Sequence, residues 1–206
     1  MSVIKKNSMT NQVFDGISAV YAVSGGFDVT AGQDHDTCDL TSKNLVELPC
    51  SESSGVNING GSPSTSVFRV HGLNAPWTSH ITPGDAEITL QVPTYNSDVL
   101  QLIYGSAYNT KDLQVNLPTG TIGSSTSGIN TLKGKSFAFP EKAVNLGLLI
   151  INDTEDKALF VKKVKLLASP EFSGEDTPFV VNLTGTVASG GDKDAMAILE
   201  PDSGSN

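Results

Sequence analysis

Residues 84–105 read GDAEITLQVPTYNSDVLQLIYG, and two periods meet inside them. Over residues 86–92, Ile88, Leu90 and Val92 alternate with Glu87, Thr89 and Gln91. That is the period of a strand with one buried face. Pro93 ends the run. From Asn96 the period changes: Val99, Leu100, Ile103 and Tyr104 fall on one helical face, as residues three and four apart must. Asn96 or Ser97 suits the N-cap, Asp98 the electropositive first turn, and Gly105 the stop. The stretch predicts a strand followed by one short helix over 97–104. Val99, Leu100 and Ile103 are its core-facing residues, and Asp98 and Gln101 face outward or toward a neighbour.

No other stretch reads as helix with comparable force. Upstream, residues 17–23 (ISAVYAV) predict a first strand, ended by Gly25-Gly26, and residues 45–48 a short one stopped by Pro49. Residues 51–66 (SESSGVNINGGSPSTS) read as a polar interaction loop or hairpin tip. The β pattern resumes over 66–71, and Trp77, between Pro76 and Pro83, reads as a loop anchor. Downstream, residues 106–130 are rich in Gly, Ser and Thr and read as turns. Strands follow over 131–139, 144–151 (VNLGLLII), 157–168, 179–188 and 195–199, with a hairpin turn at 152–156 and a loop beginning at Ser169. Roughly eight to ten strands and one helix predict a mainly β protein, an antiparallel β-sandwich or barrel with one short inserted α-helix. The expected organisation is a flexible N-terminal arm over 1–12, a single β domain over 13–200 and a flexible tail over 201–206.

The chain has 206 residues, with 13 Lys and Arg against 22 Asp and Glu, a net charge of 13 − 22 = −9. A 21.5 kDa monomer buries about 70% of its unfolded surface, enough for one core without disulfides or metal. The acidity argues against non-specific DNA binding, which needs a basic face. No apolar run approaches the ~18 residues of a membrane helix. The start, MSVIKKNSMTNQ, lacks the apolar segment of a secretory signal.

The residues that could carry chemistry do not form a motif. His35, Cys38, Cys50 and His71 could supply zinc ligands, but only His35 and Cys38 are closely spaced, and zinc sites pair ligands at short spacing on both sides. The alternatives for the cysteines are two free thiols or one disulfide closing an acidic loop. A calcium loop starting at Asp34 would need Gly and Glu where Asp39 and Leu45 stand. No nucleophile-elbow, zincin or P-loop pattern is present. Asp85 and Glu87, two apart on one strand, lack a cleft that would make them an acid–base pair. The single arginine, Arg69, reads equally as structural. The expectation is a protein that is not an enzyme and needs no cofactor.

The order of elements resembles the phage tail tube protein family. Three pieces carry the resemblance: the strand–helix stretch 84–105, the late hairpin LGLLIINDTEDKALFVKKVKLLAS over 146–169, and FVVNLTGTVASGGDKDAMAILE over 179–200. In that family a β-sandwich with a packed helix forms hexameric rings that stack into a hollow tube. The resemblance implies a structural subunit assembled in the host cytoplasm and located in the virion tail. It implies partners in itself, the tail terminator, baseplate, tape measure protein and sheath, with no membrane and with DNA passing without adhesion. The loop at 51–66 and the run at 106–130 depart from the family pattern. Residues 7–110 hold Lys43 and Arg69 against ten acids, a net of 2 − 10 = −8. A negatively charged lumen would therefore draw on Asp15, Asp28, Asp34, Asp36, Asp39, Glu47, Asp85 and Glu87, since like charge repels phosphate. The alternative for these acids is plain solvation of the outer surface. The alternative for the whole chain is a capsid decoration or receptor-binding β-sandwich module.

Overall fold

The computed structural model describes residues 14, 16–33, 36–50, 55–72, 78–93, 96–118, 131–172, 174, 178–188 and 195–201. Their elements run β1 (Ala19–Ser24), β2 (Val46–Glu47), β3 (Val56–Asn59), β4 (Ser64–Phe68), β5 (Thr78–Thr82), β6 (Glu87–Val92), α1 (Ser97–Tyr104), β7 (Tyr108–Asn116), β8 (Thr131–Phe137), β9 (Val144–Ile151), β10 (Ala158–Glu171), β11 (Val180–Val187) and β12 (Met196–Leu199). The protein is mainly β, antiparallel, with one short α-helix among the described residues. The arm 1–12 and the tail beyond Pro201 lie outside the described residues.

Eight strands form one sheet in the order β2-β1-β9-β10-β11-β6-β3, with β12 on β10. Alternate residues of its strands point to one face: Val20 and Ala22 of β1, Leu146, Leu148 and Ile150 of β9, Val181 and Leu183 of β11, and Ile88, Leu90 and Val92 of β6 are all buried in one core. Burying each of the Val, Leu and Ile side chains among them is worth about 1.5–3 kcal/mol. The two ends of the sheet, at β2 and β3, line a common cleft of about 910 Å³, so the sheet rolls toward a barrel.

Helix α1 closes this core. Asn96 caps it, its side chain accepting the Asp98 N–H at 2.9 Å, and the Gly105 N–H donates to Gln101 O. Val99, Leu100, Ile103 and Tyr104 are buried and Asp98 and Gln101 are exposed, as the period predicts.

β10 organises the rest. One side pairs with β9; the other pairs with β11 along Val164–Glu171 and with β12 along Ala158–Val161. β11 and β12 are thus one edge in two pieces. Opposite the break β10 bulges, its register shifting between Val161 and Val164. The bulge re-aims backbone groups: the Lys162 N–H donates to Ala195 O at 3.0 Å, and the Phe27 N–H donates to Lys162 O at 2.9 Å. Phe27 then stacks on Phe160 on the outer face, centroids 4.6 Å apart, in a second small core with Val23. Gly147 lies beneath that ring, and a Cβ there would sit 2.6 Å from it.

The structure corrects the sequence reading in four places. The polar stretch 51–66 contains β3 and the start of β4, because Val56 and Ile58 pair with Leu90 and Ile88 and pack on the core. Residues 78–82, read only as loop, form β5. The turn-like run 106–130 begins with β7, a nine-residue strand; residues 119–130 are outside the described residues. β10 runs on through Ser169 and Pro170 to Glu171, where β9 no longer pairs it and an edge proline is tolerated. The described residues therefore hold twelve strands.

Candidate functional site

The acids proposed to line a channel divide by position. Asp15 and Asp34 lie outside the described residues. Asp28, Asp36 and Asp39 sit in the loop that packs over the outer face of β1 and β9, and each has local work. Asp28 pairs with Lys43 at 2.7 Å, and that hydrogen bond and charge hold its carboxyl below the usual range. Asp39 accepts the Thr41 hydroxyl at 2.6 Å and the Thr41 N–H at 2.9 Å, which lower its pKa in turn. Asp36 accepts the Gly32 N–H at 3.3 Å. Glu47 is exposed on β2 across from Tyr21. Asp85 and Glu87 are exposed at the other end of the sheet order, before and at the start of β6. The fold does not gather the described acids into one cluster within a single chain.

The thiols are equally separated. Cys38 packs in the small outer core and Cys50 against the main one, so the sheet stands between them, and both are free. That placement also keeps Cys38 and Cys50 from sharing a zinc ion. Burial pushes the Cys50 thiol up to about 11 and raises Cys38, so both stay protonated at neutral pH and neither is an activated nucleophile. His71 and His80 are exposed. His35 and Trp77 lie outside the described residues. Among the described residues no group of three His, Cys, Asp or Glu is placed to hold a metal. The 910 Å³ cleft between the sheet ends carries Glu47, Asp153 and Cys50 as its ionisable lining, with no cation among the described residues.

The unusual surfaces are the two hairpins, β4–β5 and β7–β8. Each forms its own two-stranded sheet. Every residue of β4 and of β5 is exposed, including Val67, Phe68 and Ile81. This ribbon prolongs the β3–β6 pair across a crossing of two glycines. Gly61 has φ of +75°, and a Cβ on it would strike the Asp85 carbonyl; one on Gly84 would come within 2.7 Å of Ser62 O. The second ribbon is anchored at its base, where Tyr108 pairs with Phe137 and the Phe137 ring lies 4.8 Å from that of Tyr104. Beyond the base it stands exposed, with Lys135 and Asp112 paired across it at 2.7 Å. A third open surface is β12, all of whose residues are exposed. Isolated two-stranded ribbons are at best marginally stable in water, and open apolar edges invite pairing with another chain.

Sequence reading gave β8 and most of β4 but missed their partners, β7 and β5. The signal that could have found β7 is the alternation of Leu113 and Val115 with Asp112, Gln114 and Asn116, masked by the Gly/Ser/Thr-rich run that follows.

No family model matches the chain, and a comparison with curated proteins returns no match.

Proposed function

We propose that this chain is a structural subunit of a phage tail tube, forming stacked rings, six subunits to a ring, around a channel through which DNA passes. The observation that carries the reading is the pair of ribbons, whose apolar side chains are left to water by the described residues of their own chain. A single copy has exposed strands and open edges where an assembly would have interfaces. The order of elements over 84–105, 146–169 and 179–200 adds support through its resemblance to the tube family.

The lumen follows from charge. A surface of like charge keeps a phosphate backbone from adhering as it slides, over a screening distance of about 8–10 Å at physiological salt. Glu47, Asp85 and Glu87 suit that role better than Asp28 and Asp39, whose carboxylates are engaged with Lys43 and Thr41. The former have no side-chain partner among the described residues.

Negative-stain microscopy and light scattering of the concentrated protein test the assembly. Rings or tubes are expected. A strict monomer at every concentration overturns the reading, and discrete trimers would point to a capsid decoration module. In the tube, Glu47→Lys with Glu87→Lys should leave assembly intact and slow DNA passage, more at low salt.

A further inference from the structure

Two of the three apolar surfaces that the described residues leave open differ in their electrical surroundings. The first is one face of the β7–β8 ribbon. Val115 pairs with Leu132 and Leu113 with Gly134, and cross-strand partners share a face. Leu113, Val115 and Leu132 are 51%, 43% and 42% exposed. The other face carries Asp112, Gln114, Lys133 and Lys135. Residues 108–137 hold Lys111, Lys133 and Lys135 against Asp112, a charge of 3 − 1 = +2, which leaves −11 on the rest of a chain of net −9.

The second surface is β12. Met196 pairs with Val161 and Ile198 with Leu159, so these side chains continue the inner, core-building face of the sheet. The core stops short of them: Met196 is 41% and Ile198 64% exposed. Residues 188–206 hold Asp192, Asp194, Glu200 and Asp202 against Lys193, a net of 1 − 4 = −3.

We infer that the apolar face of the β7–β8 ribbon of one copy docks on the inner face of β12 in a second copy. Both surfaces are exposed in the one chain, so the ribbon does not cover its own β12. The ribbon's net positive charge draws it to the acidic body of another copy and speeds encounter, and the apolar face decides which side docks. The seven residues of β8 set a ribbon about 24 Å long and roughly 10 Å wide. One face therefore covers only about 250 Å², well below the ~800 Å² per partner of a standard stable interface. The contact then holds through repetition in a closed or stacked assembly, where each subunit gives a ribbon and receives one. The inference rests on the assembly reading above and names the surfaces that meet.

Mixed single-cysteine variants, made in a background with Cys38 and Cys50 replaced by Ala so that no native thiol competes, test it. Val115→Cys chains and Ile198→Cys chains, co-assembled and then oxidised with oxidised glutathione, should yield a disulfide-linked dimer containing one of each. In parallel, Leu132→Asp and Ile198→Asp should each lower the assembled fraction about tenfold or more. Their thermal midpoints should stay within about 2 °C, because both sites are exposed in the folded subunit. If the wild type assembles while the mixture gives no mixed dimer, or Val115→Cys links only to itself, the docking is wrong and the assembly reading stands. A wild type that never assembles overturns both.

Discussion

The central strands and the two ribbons use the same alternation to different ends. In β9, Leu146, Leu148 and Ile150 are at most 1% exposed. In β7 and β8, residues of the same kind, Leu113, Val115 and Leu132, are 42–51% exposed. The pattern of a half-buried strand is written in both, but only the first finds its cover within the described chain. Amphipathic alternation therefore specifies that a face will be covered, without specifying by which molecule.

The largest test of this contrast is truncation on each side of it. Leu100→Ala, in the helix that closes the core, should cost about 2–5 kcal/mol in urea unfolding of the isolated subunit. Leu113→Ala should cost under about 0.5 kcal/mol there and show its effect only in assembly. Equal costs would mean that the ribbon is folded onto the body in solution.

A smaller effect is expected where the loop over β1 and β9 meets the sheet. Gly147→Ala places a methyl against the Phe27 ring, and overpacking of this kind costs about 1–3 kcal/mol. The same change at Gly134, in the exposed ribbon, meets nothing within 4 Å and should leave the unfolding midpoint unchanged.

The pH response should divide the molecule in the same way. Asp156, in the β9–β10 turn, accepts hydrogen bonds from Thr154, from Asn152 Nδ2 at 2.8 Å and from Lys157 Nζ at 2.9 Å. These hold its carboxyl well below the usual carboxylate range. The folded-state pKa is depressed, so the contribution is complete above the unfolded value, near 3.9. It is lost as pH falls from there toward the folded value. Asp156→Asn should therefore flatten the loss of stability on acidification, followed by thermal melts from pH 6 to pH 2. Asp112 is also lowered, by Lys135, but its ribbon contributes little to the fold, and Asp112→Asn should leave that acid limb unchanged.

Removing residues 1–12 should have the smallest effect on the folded subunit. Its thermal midpoint is expected to stay the same while tube formation falls, and a truncated chain that polymerises as well as the intact one would remove the arm from the assembly.

Helix α1 and the strands β6, β9 and β11 were legible in the sequence because their signals are local. A cap, a period and a stop lie within a dozen residues of one another, and alternation states which side chains share a face. The number of strands was not, because β3 and β7 are embedded in Gly, Ser, Thr and Asn runs whose turn propensity is outweighed by distant partners. Val56 is a strand residue through Leu90, and Tyr108 through Phe137. The candidate acids were legible as residues but not as a site. Whether Asp28 is free or engaged depends on Lys43, and which end of the sheet holds Glu47 or Glu87 depends on strand order. The sequence by itself determined the class of the fold, helix α1 and the acidity, since composition and short-range period suffice for these. Only the tertiary structure decided that Cys38 and Cys50 lie on opposite faces, that β11 and β12 share one edge of β10, and that the described residues leave two ribbons uncovered. Those facts rest on contacts between residues far apart in the chain, and a local period carries no information about what lies across from it.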